Sequence, residues 1–229
     1  MVNYTYSRTV DNNTTSLVND RSFYQTVSSR DRTHILRVAG NWELPFGPGR
    51  RFGSNLGPVL RELAGGWSLS ARYQRESGVP LSITHPNGRP VLLRNPALDG
   101  SVGDRLGDQL DAESGVPLNP YFDITAFEPL ASSYIVSPEP PVLDELRGPP
   151  SALLDAVLTK EIPIRGGLRA ALRLEAYALT NSPIFSPPGT NMADQANFGV
   201  ITSAGGSFAG RIIGVDGARV VQIALEVRF

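Results

Sequence analysis

The last ten residues of the chain, 220–229, read VVQIALEVRF. Apolar and polar side chains alternate here without a break, which is typical of a β-strand whose two faces meet different surroundings. The apolar positions are Val221, Ile223, Leu225, Val227 and Phe229. Terminal segments of soluble domains are usually poorly ordered, so an alternation that continues to a terminal aromatic residue needs another explanation.

The same period of two recurs in five other stretches. It is clear in HILRVAGNWEL (34–44), WSLSARYQRE (67–76) and LRAALRLEAYAL (168–179), and weaker in VNYTYS (2–7) and ALLDAVLTKEI (152–162). We therefore predict an all-β fold, an antiparallel meander of about six transmembrane strands near residues 1–8, 32–44, 67–77, 151–162, 168–179 and 218–229. Several of these strands reach the roughly 9–11 residues that cross a bilayer with tilt. Leu, Ala, Arg and Glu in 168–179 also favour a helix, but the charges keep to odd positions, which favours a strand.

The connections between these strands are alternately short and long. PIRGG (163–167) is a tight turn, and 45–66 is a moderate connection in which GPVLRELAG (57–65) adds a helical turn or two. The other three connections, at 9–31, 78–150 and 180–217, are long and polar. Outer-membrane barrels have short periplasmic turns and long outer loops. We therefore predict that 78–150 is an outer loop, ordered in part by Tyr121, Phe122, Ile124 and Phe127.

The positions of the aromatic and charged residues also agree with a membrane barrel. We predict that Trp42 and Trp67 lie at one membrane interface and Tyr4 and Tyr6 at the other, although the tryptophans also suit the core of a soluble domain. A polar set faces away from the apolar positions: Arg37, Arg72, Arg169, Arg173, Glu175, Glu226 and Arg228. A sandwich needs apolar inner faces, whereas a membrane barrel has a polar lumen and an apolar face towards lipid.

Composition and motifs argue against several classes of function. The net charge of −1 gives no reason to expect a nucleic-acid partner, and the absence of cysteine excludes a thiolate site or nucleophile. His34 and His85 have no neighbouring ligands, and no G-x-S-x-G elbow occurs. We therefore expect no enzyme activity, no catalytic residue, no cofactor and no metal. No signal peptide and no long apolar run for a membrane helix is visible.

A series of short blocks carries a family resemblance. In order they are DRTHILRVAGNWELPFGPGRRF (31–52), GGWSLSARYQRESGVPLSIT (65–84), YFDITAF (121–127), LRGPP (146–150), LEAYALTNSPIF (174–185), NFGVITSAGG (197–206) and the final VVQIALEVRF. Their order and spacing resemble the C-terminal end of the barrel of TonB-dependent receptors, in the Oar-like group with a carboxypeptidase-regulatory-like domain. The terminal Phe229 resembles the signal that the barrel assembly machinery reads.

The resemblance implies a function and a set of partners. It implies part of a barrel of about 22 strands filled by a plug, in the outer membrane of a Gram-negative-type bacterium, with transport driven by TonB. The implied partners are the remainder of the barrel and plug, the barrel assembly machinery, TonB through the plug, and outer-membrane lipid. Because about six strands cannot close such a barrel, we expect residues 1–229 to be a fragment that does not transport alone.

Three alternatives follow from the same sequence. The first is a soluble β-sandwich that binds a carbohydrate or protein ligand. The second is an enzyme on a β-scaffold, and the third is a complete small pore of six to eight strands. A sandwich requires the apolar faces to pack against each other, so the arrangement of the sheet separates it from the membrane barrel.

Overall fold

One antiparallel sheet of six strands dominates the structure, a computed structural model that describes residues 1–14, 23–53, 57–164, 167–205 and 217–228. The strands of the chain are β1 Val2–Tyr6, β2 Val10–Thr14, β3 Phe23–Val27, β4 His34–Glu43, β5 Trp67–Glu76, β6 Pro80–Leu81, β7 Val91–Leu92, β8 Phe127–Glu128, β9 Leu143–Arg147, β10 Ser151–Pro163, β11 Arg169–Tyr177 and β12 Val220–Arg228. The large sheet has the order β1-β4-β5-β10-β11-β12, with every neighbouring pair antiparallel. The predicted all-β antiparallel meander is confirmed.

The register of the sheet puts the apolar positions of all six strands on one face. Residues directly opposite each other in a sheet point to the same side, and Val38 pairs with Tyr73, which pairs with Leu154. This apolar face includes Val2, Tyr4, Tyr6, Leu36, Val38, Gly40, Trp42, Trp67, Leu69, Ala71, Tyr73, Ala152, Leu154, Ala156, Leu158, Ile162, Ala170, Leu172, Leu174, Ala176, Val221, Ile223, Leu225 and Val227. The alternation read within single strands therefore stays in phase across the whole sheet.

Two cations interrupt the apolar face, and both were missed in the sequence. Arg75 pairs with Leu36 and Ala152 near the end of the sheet where β4 begins. Lys160 pairs with Trp67 and Leu172 near the opposite end. Both positions lie near strand ends, where a long cationic side chain reaches polar groups beyond the apolar band.

Two apolar residues on the polar face, Leu153 and Val157, explain the weak alternation of 152–162. Leu153 pairs with Gln74 and therefore shares the polar face of the sheet. Its side chain is nevertheless buried, because it packs with Ala178 and Ile184 in a small core. The sequence pattern of β10 is thus set partly by a segment that follows β11.

The long connections fold into a cap with its own core. This cap, residues 78–147 and 182–205, contains β6 to β9 and two short 3₁₀ turns at 102–104 and 124–126. Phe122 is fully buried and packs edge-on against Phe127 and Phe198, with ring centroids 5.8 and 5.2 Å apart. The buried core residues are Leu81, Ile83, Tyr121, Phe122, Ala126, Phe127, Leu143, Leu146, Phe198 and Ile201. The predicted ordering role of Tyr121, Phe122 and Phe127 is confirmed, and Ile124 packs against this core.

Glycine permits two close chain approaches at the cap. A Cβ atom at Gly78 would lie 1.7 Å from the carbonyl oxygen of Gly148. A Cβ atom at Gly189 would lie 2.1 Å from the carbonyl oxygen of Asn197. Any side chain at either position would therefore push the crossing segments apart.

The remaining connections contain two further elements. The connection between β4 and β5 forms one helix, α1 Pro58–Ala64, in agreement with the predicted helical turn or two. The connection at 9–31 contains the β2–β3 hairpin, which the sequence analysis did not predict. Arg165 and Gly166 of the predicted PIRGG turn lie outside the described residues. Among the helices described, none has the length and apolar character of a membrane-spanning helix.

Candidate functional site

The apolar face of the last strand is uncovered within the described part of the chain. Ile223 and Leu225 are 74% and 68% exposed, and Val221 and Val227 are also exposed. A sandwich would bury these side chains against a second sheet. Phe229, which the sequence analysis grouped with them as an assembly signal, lies outside the described residues.

The predicted interfacial aromatics lie at the two ends of the apolar face. Tyr6 pairs with His34 at one end, and the Tyr4 hydroxyl is hydrogen-bonded to His34 Nδ1 at 2.8 Å. Trp42 lies near the other end and is exposed. Trp67 begins β5 at that same end, and its Nε1 donates to the Leu63 carbonyl at 2.9 Å. Two groups of amphipathic rings thus border an apolar band.

The polar face carries charged side chains that neutralise one another. Its polar members include Asn3, Thr5, Arg37, Asn41, Glu43, Ser68, Ser70, Arg72, Gln74, Glu76, Asp155, Thr159, Glu161, Arg169, Arg173, Glu175, Tyr177, Gln222, Glu226 and Arg228. Arg173 pairs with Glu175 at 2.8 Å, and Arg228 pairs with Glu226 at 2.9 Å. All seven predicted inward charges therefore lie on the face opposite to the apolar residues.

A buried carboxylate organises the polar face where it meets the cap. Glu76, at the end of β5, accepts a hydrogen bond from Gln74 Nε2 at 2.6 Å and pairs with Arg32 at 3.2 Å and Arg37 at 3.4 Å. Both Gln74 and Glu76 are buried. The cations and the amide compensate the cost of removing this charge from water.

A second carboxylate joins the strand ends to the cap. The Asp31 side chain has no exposed surface and pairs with Arg147 Nη1 at 3.0 Å, 116 residues further along the chain. Its oxygens also accept from the Thr9 amide at 2.7 Å and the Thr33 hydroxyl at 2.9 Å. Arg147 is the last residue of β9, and its Nη2 atom forms a second ion pair, with Asp144 Oδ1, at 2.5 Å. We call Asp31, Arg147 and Asp144 the cap joint.

The cap joint fixes the ionisation of Asp31. Burial alone raises the pKa of this carboxyl, but the hydrogen bonds from Thr9, Thr33 and Arg147 outweigh burial, so the pKa lies below its ordinary value of 3.8. Asp31 is therefore ionised at neutral pH, and its charge holds the Arg147 guanidinium in place.

Two open cavities flank Arg147. One of about 390 Å³ has a charged lining that includes Arg8, Asp144 and Glu145. The other, about 520 Å³, lies among Tyr4, Leu36, Arg75 and Tyr121. Both cavities place polar and aromatic groups at the junction between the strand ends and the cap.

Two further features of the described residues concern metal binding and the ionisation of Tyr121. No group of three or more His, Asp or Glu side chains positioned to hold a metal occurs among them. Burial raises the pKa of Tyr121 to about 12, with the Arg105 guanidinium opposing the shift, so its phenol stays protonated. That hydroxyl donates to the Arg147 carbonyl at 3.0 Å and serves to hold the cap.

The sequence analysis missed the cap joint as a site. Asp31 and Arg147 both lie in blocks that carried the family resemblance, DRTHILRV and LRGPP, but neither received a role. The Asp-Arg-Thr that precedes β4 and the Leu-Arg-Gly-Pro-Pro that begins in the last residues of β9 have no local periodicity. Only the fold brings the two residues together.

A single wall with an apolar side, a charge-neutralised polar side and a folded cap at one end has the features of a transmembrane β-barrel wall. The family model described as "Outer membrane beta barrel domain" matches residues 1–222. The chain belongs to this family and is an outer-membrane protein. No curated protein and no solved structure matches the chain.

Proposed function

We propose that the chain forms part of the barrel wall and the outer cap of an energy-coupled transporter similar to TonB-dependent receptors. The observation that supports this most is the cap joint, which attaches a folded cap to the strand ends above a polar wall. In this proposal the apolar face contacts lipid and the polar face lines the lumen. The outer cap and the charged cavity among Arg8, Asp144 and Glu145 make the first contact with solute.

The proposed partners follow from the family resemblance. The free edges of β1 and β12 pair with further strands of the barrel, since an unpaired edge exposes backbone hydrogen-bonding groups. A plug fills the lumen, and TonB acts on the plug. The barrel assembly machinery inserts the protein, and outer-membrane lipid surrounds the apolar face. No catalytic step is part of the proposal.

Dependence on TonB is the test of the proposed transport. Cells of the producing bacterium without this protein are compared with cells without TonB, and their small-molecule contents are measured by mass spectrometry after growth in one rich medium. We expect the solutes depleted by loss of this protein to form a subset of those depleted by loss of TonB. The physical reason is that a plugged barrel passes solute only when work is done on the plug.

The control for this experiment is a strain in which the protein is restored. Restoration is expected to return the depleted solutes to normal in cells with TonB and to change nothing in cells without it. A set of solutes that depends on this protein equally with and without TonB would identify a passive barrel and overturn the proposal.

Deletion of Phe229 tests the proposed assembly signal. We expect the deletion to lower the amount of protein inserted in the outer membrane, because the final aromatic residue is proposed to be read during assembly. Binding by the correctly inserted molecules should be less affected. The measurement is the heat-modifiable fraction in purified outer membranes, with Phe229→Tyr as the control that keeps the ring. Unchanged insertion after the deletion would refute the assembly role.

A further inference from the structure

The helix between β4 and β5 is attached to the apolar face of the sheet. The Trp67 indole nitrogen donates to the Leu63 carbonyl at 2.9 Å. Lys160 Nζ donates to the carbonyls of Glu62 and Gly65. Both Trp67 and Lys160 belong to the side of the sheet that carries the apolar residues. The C-terminal end of α1 is therefore anchored on this side and not over the lumen.

Lys160 is suited to this anchoring role. Its side chain is buried, and its ammonium group lies 5.7 Å from the centre of the Trp67 ring. The carbonyl groups at a helix C-terminus carry partial negative charge and lack partners within the helix. A cation placed there donates hydrogen bonds to these carbonyl groups. Their partial negative charge in turn compensates the cost of burying the cation. This accounts for the presence of Lys160 on the apolar face.

The helix exposes apolar side chains that its anchoring leaves uncovered. Val59, Leu60 and Leu63 are 73%, 57% and 62% exposed. Their spacing of one, three and four residues places them on one side of the helix, whereas Glu62 lies on another. A short water-facing turn has no need of three such residues.

We propose that α1 is an interfacial membrane element, with Val59, Leu60 and Leu63 inserted among the acyl chains of phospholipids in the periplasmic leaflet. The helix is held at the end of the apolar face of a sheet that belongs to an outer-membrane barrel. Trp42 and Trp67 lie at the same end of that face, at the level where amphipathic rings border the hydrocarbon. The assignment to the periplasmic leaflet rests on the orientation in the proposed function.

A single label on the helix tests the proposal. Residues 1–229 contain no cysteine, so Leu60→Cys and Glu62→Cys can each carry one nitroxide label there, with any cysteine outside these residues replaced by serine. The intact protein is purified from outer membranes and reconstituted in phosphatidylethanolamine–phosphatidylglycerol vesicles. We expect the label at 60 to collide with oxygen more, and with a water-soluble nickel complex less, than the label at 62. Val59→Cys should repeat the result for 60.

Three outcomes of the labelling experiment distinguish lipid, water and protein as the surroundings of the helix. Labels at 59 and 60 that collide often with oxygen and rarely with the nickel complex support the lipid contact. Nickel access at 60 equal to that at 62 places the helix in water and overturns the proposal. A label at 60 that is shielded from both reagents shows that protein covers the helix, which also overturns it. Since the vesicles contain no TonB and no solute, failure of the proposed transport would leave this measurement unchanged.

Discussion

Replacement of Ile223 by arginine is expected to prevent most of the protein from folding in the membrane. Ile223 lies near the middle of β12 on the apolar face, pairs with Leu174 and is largely exposed. An arginine on the lipid face near the bilayer midplane costs about 2–4 kcal/mol. At about 1.4 kcal/mol per tenfold, the folding equilibrium constant falls roughly 30- to 700-fold. The measurement is the heat-modifiable, protease-resistant fraction in purified outer membranes.

The neighbouring residue supplies the control. Gln222 pairs with Glu175 on the polar face, so Gln222→Arg introduces the same charge on the opposite side of the same strand. We expect Gln222→Arg to insert at nearly the normal level, since its guanidinium group faces the polar side and an acidic neighbour. Equal loss of insertion for both variants would contradict the assignment of the two faces.

Replacement of Asp31 by asparagine is expected to loosen the cap. Arg147 would keep Asp144 but lose the buried charge that accepts its other nitrogen. Removing one partner of a fully buried ion pair costs about 3–5 kcal/mol. Because the Arg147 side chain is 24% exposed, we expect about 2 kcal/mol here. Hydrogen exchange at the backbone amides of the cap would show the loss as faster exchange, with the sheet unchanged.

A graded control lies within the same joint. The Asp144 side chain is 35% exposed, so Asp144→Asn should accelerate cap exchange less than Asp31→Asn. If the two variants behave alike, or if neither changes the exchange of the cap, the cap joint does not hold the cap.

The low pKa of Asp31 gives the cap a defined response to acid. A carboxyl whose pKa is lower in the folded state contributes stability at pH values above its unfolded pKa, here near 3.8. That contribution is lost as the pH falls through the lower, folded value. The protection factors of the cap amides, which correct for the intrinsic pH dependence of exchange, should therefore fall below about pH 4, and Asp31→Asn should weaken this response. Part of it should remain, since hydrogen bonds also lower the pKa of Asp123 against the opposing effect of burial.

The large sheet was predictable because each of its strands separates two different environments. Apolar and polar residues alternate from Val221 to Val227 because one side of the strand is apolar and the other polar. The neighbouring strand β11 has the same alternation, and the pairing aligns the two patterns. Leu153 and Lys160 depart from the pattern because distant parts of the chain, around Ile184 and α1, change their surroundings. Local sequence contains no trace of those contacts.

The cap and its joint were less predictable for the same reason. Tyr121, Phe122 and Phe127 were visible as apolar residues in a polar loop, but their partner Phe198 lies in a different connection. The pair of Asp31 and Arg147 spans 116 residues. Irregular segments have no periodic pattern of apolar residues from which contacts could be predicted. The strands bring the connections together and so determine which of their residues come into contact.

The shared core of the cap has a consequence for the order of folding. Phe122 precedes β10 and β11, whereas Phe198 follows them, and their rings are in contact. The cap core therefore cannot be completed until the β10–β11 hairpin has brought the two connections to the same end of the sheet. Contacts between distant segments form late, because the intervening chain must first be ordered. Burial of Phe122 would accordingly report that β10 and β11 have already reached their final register.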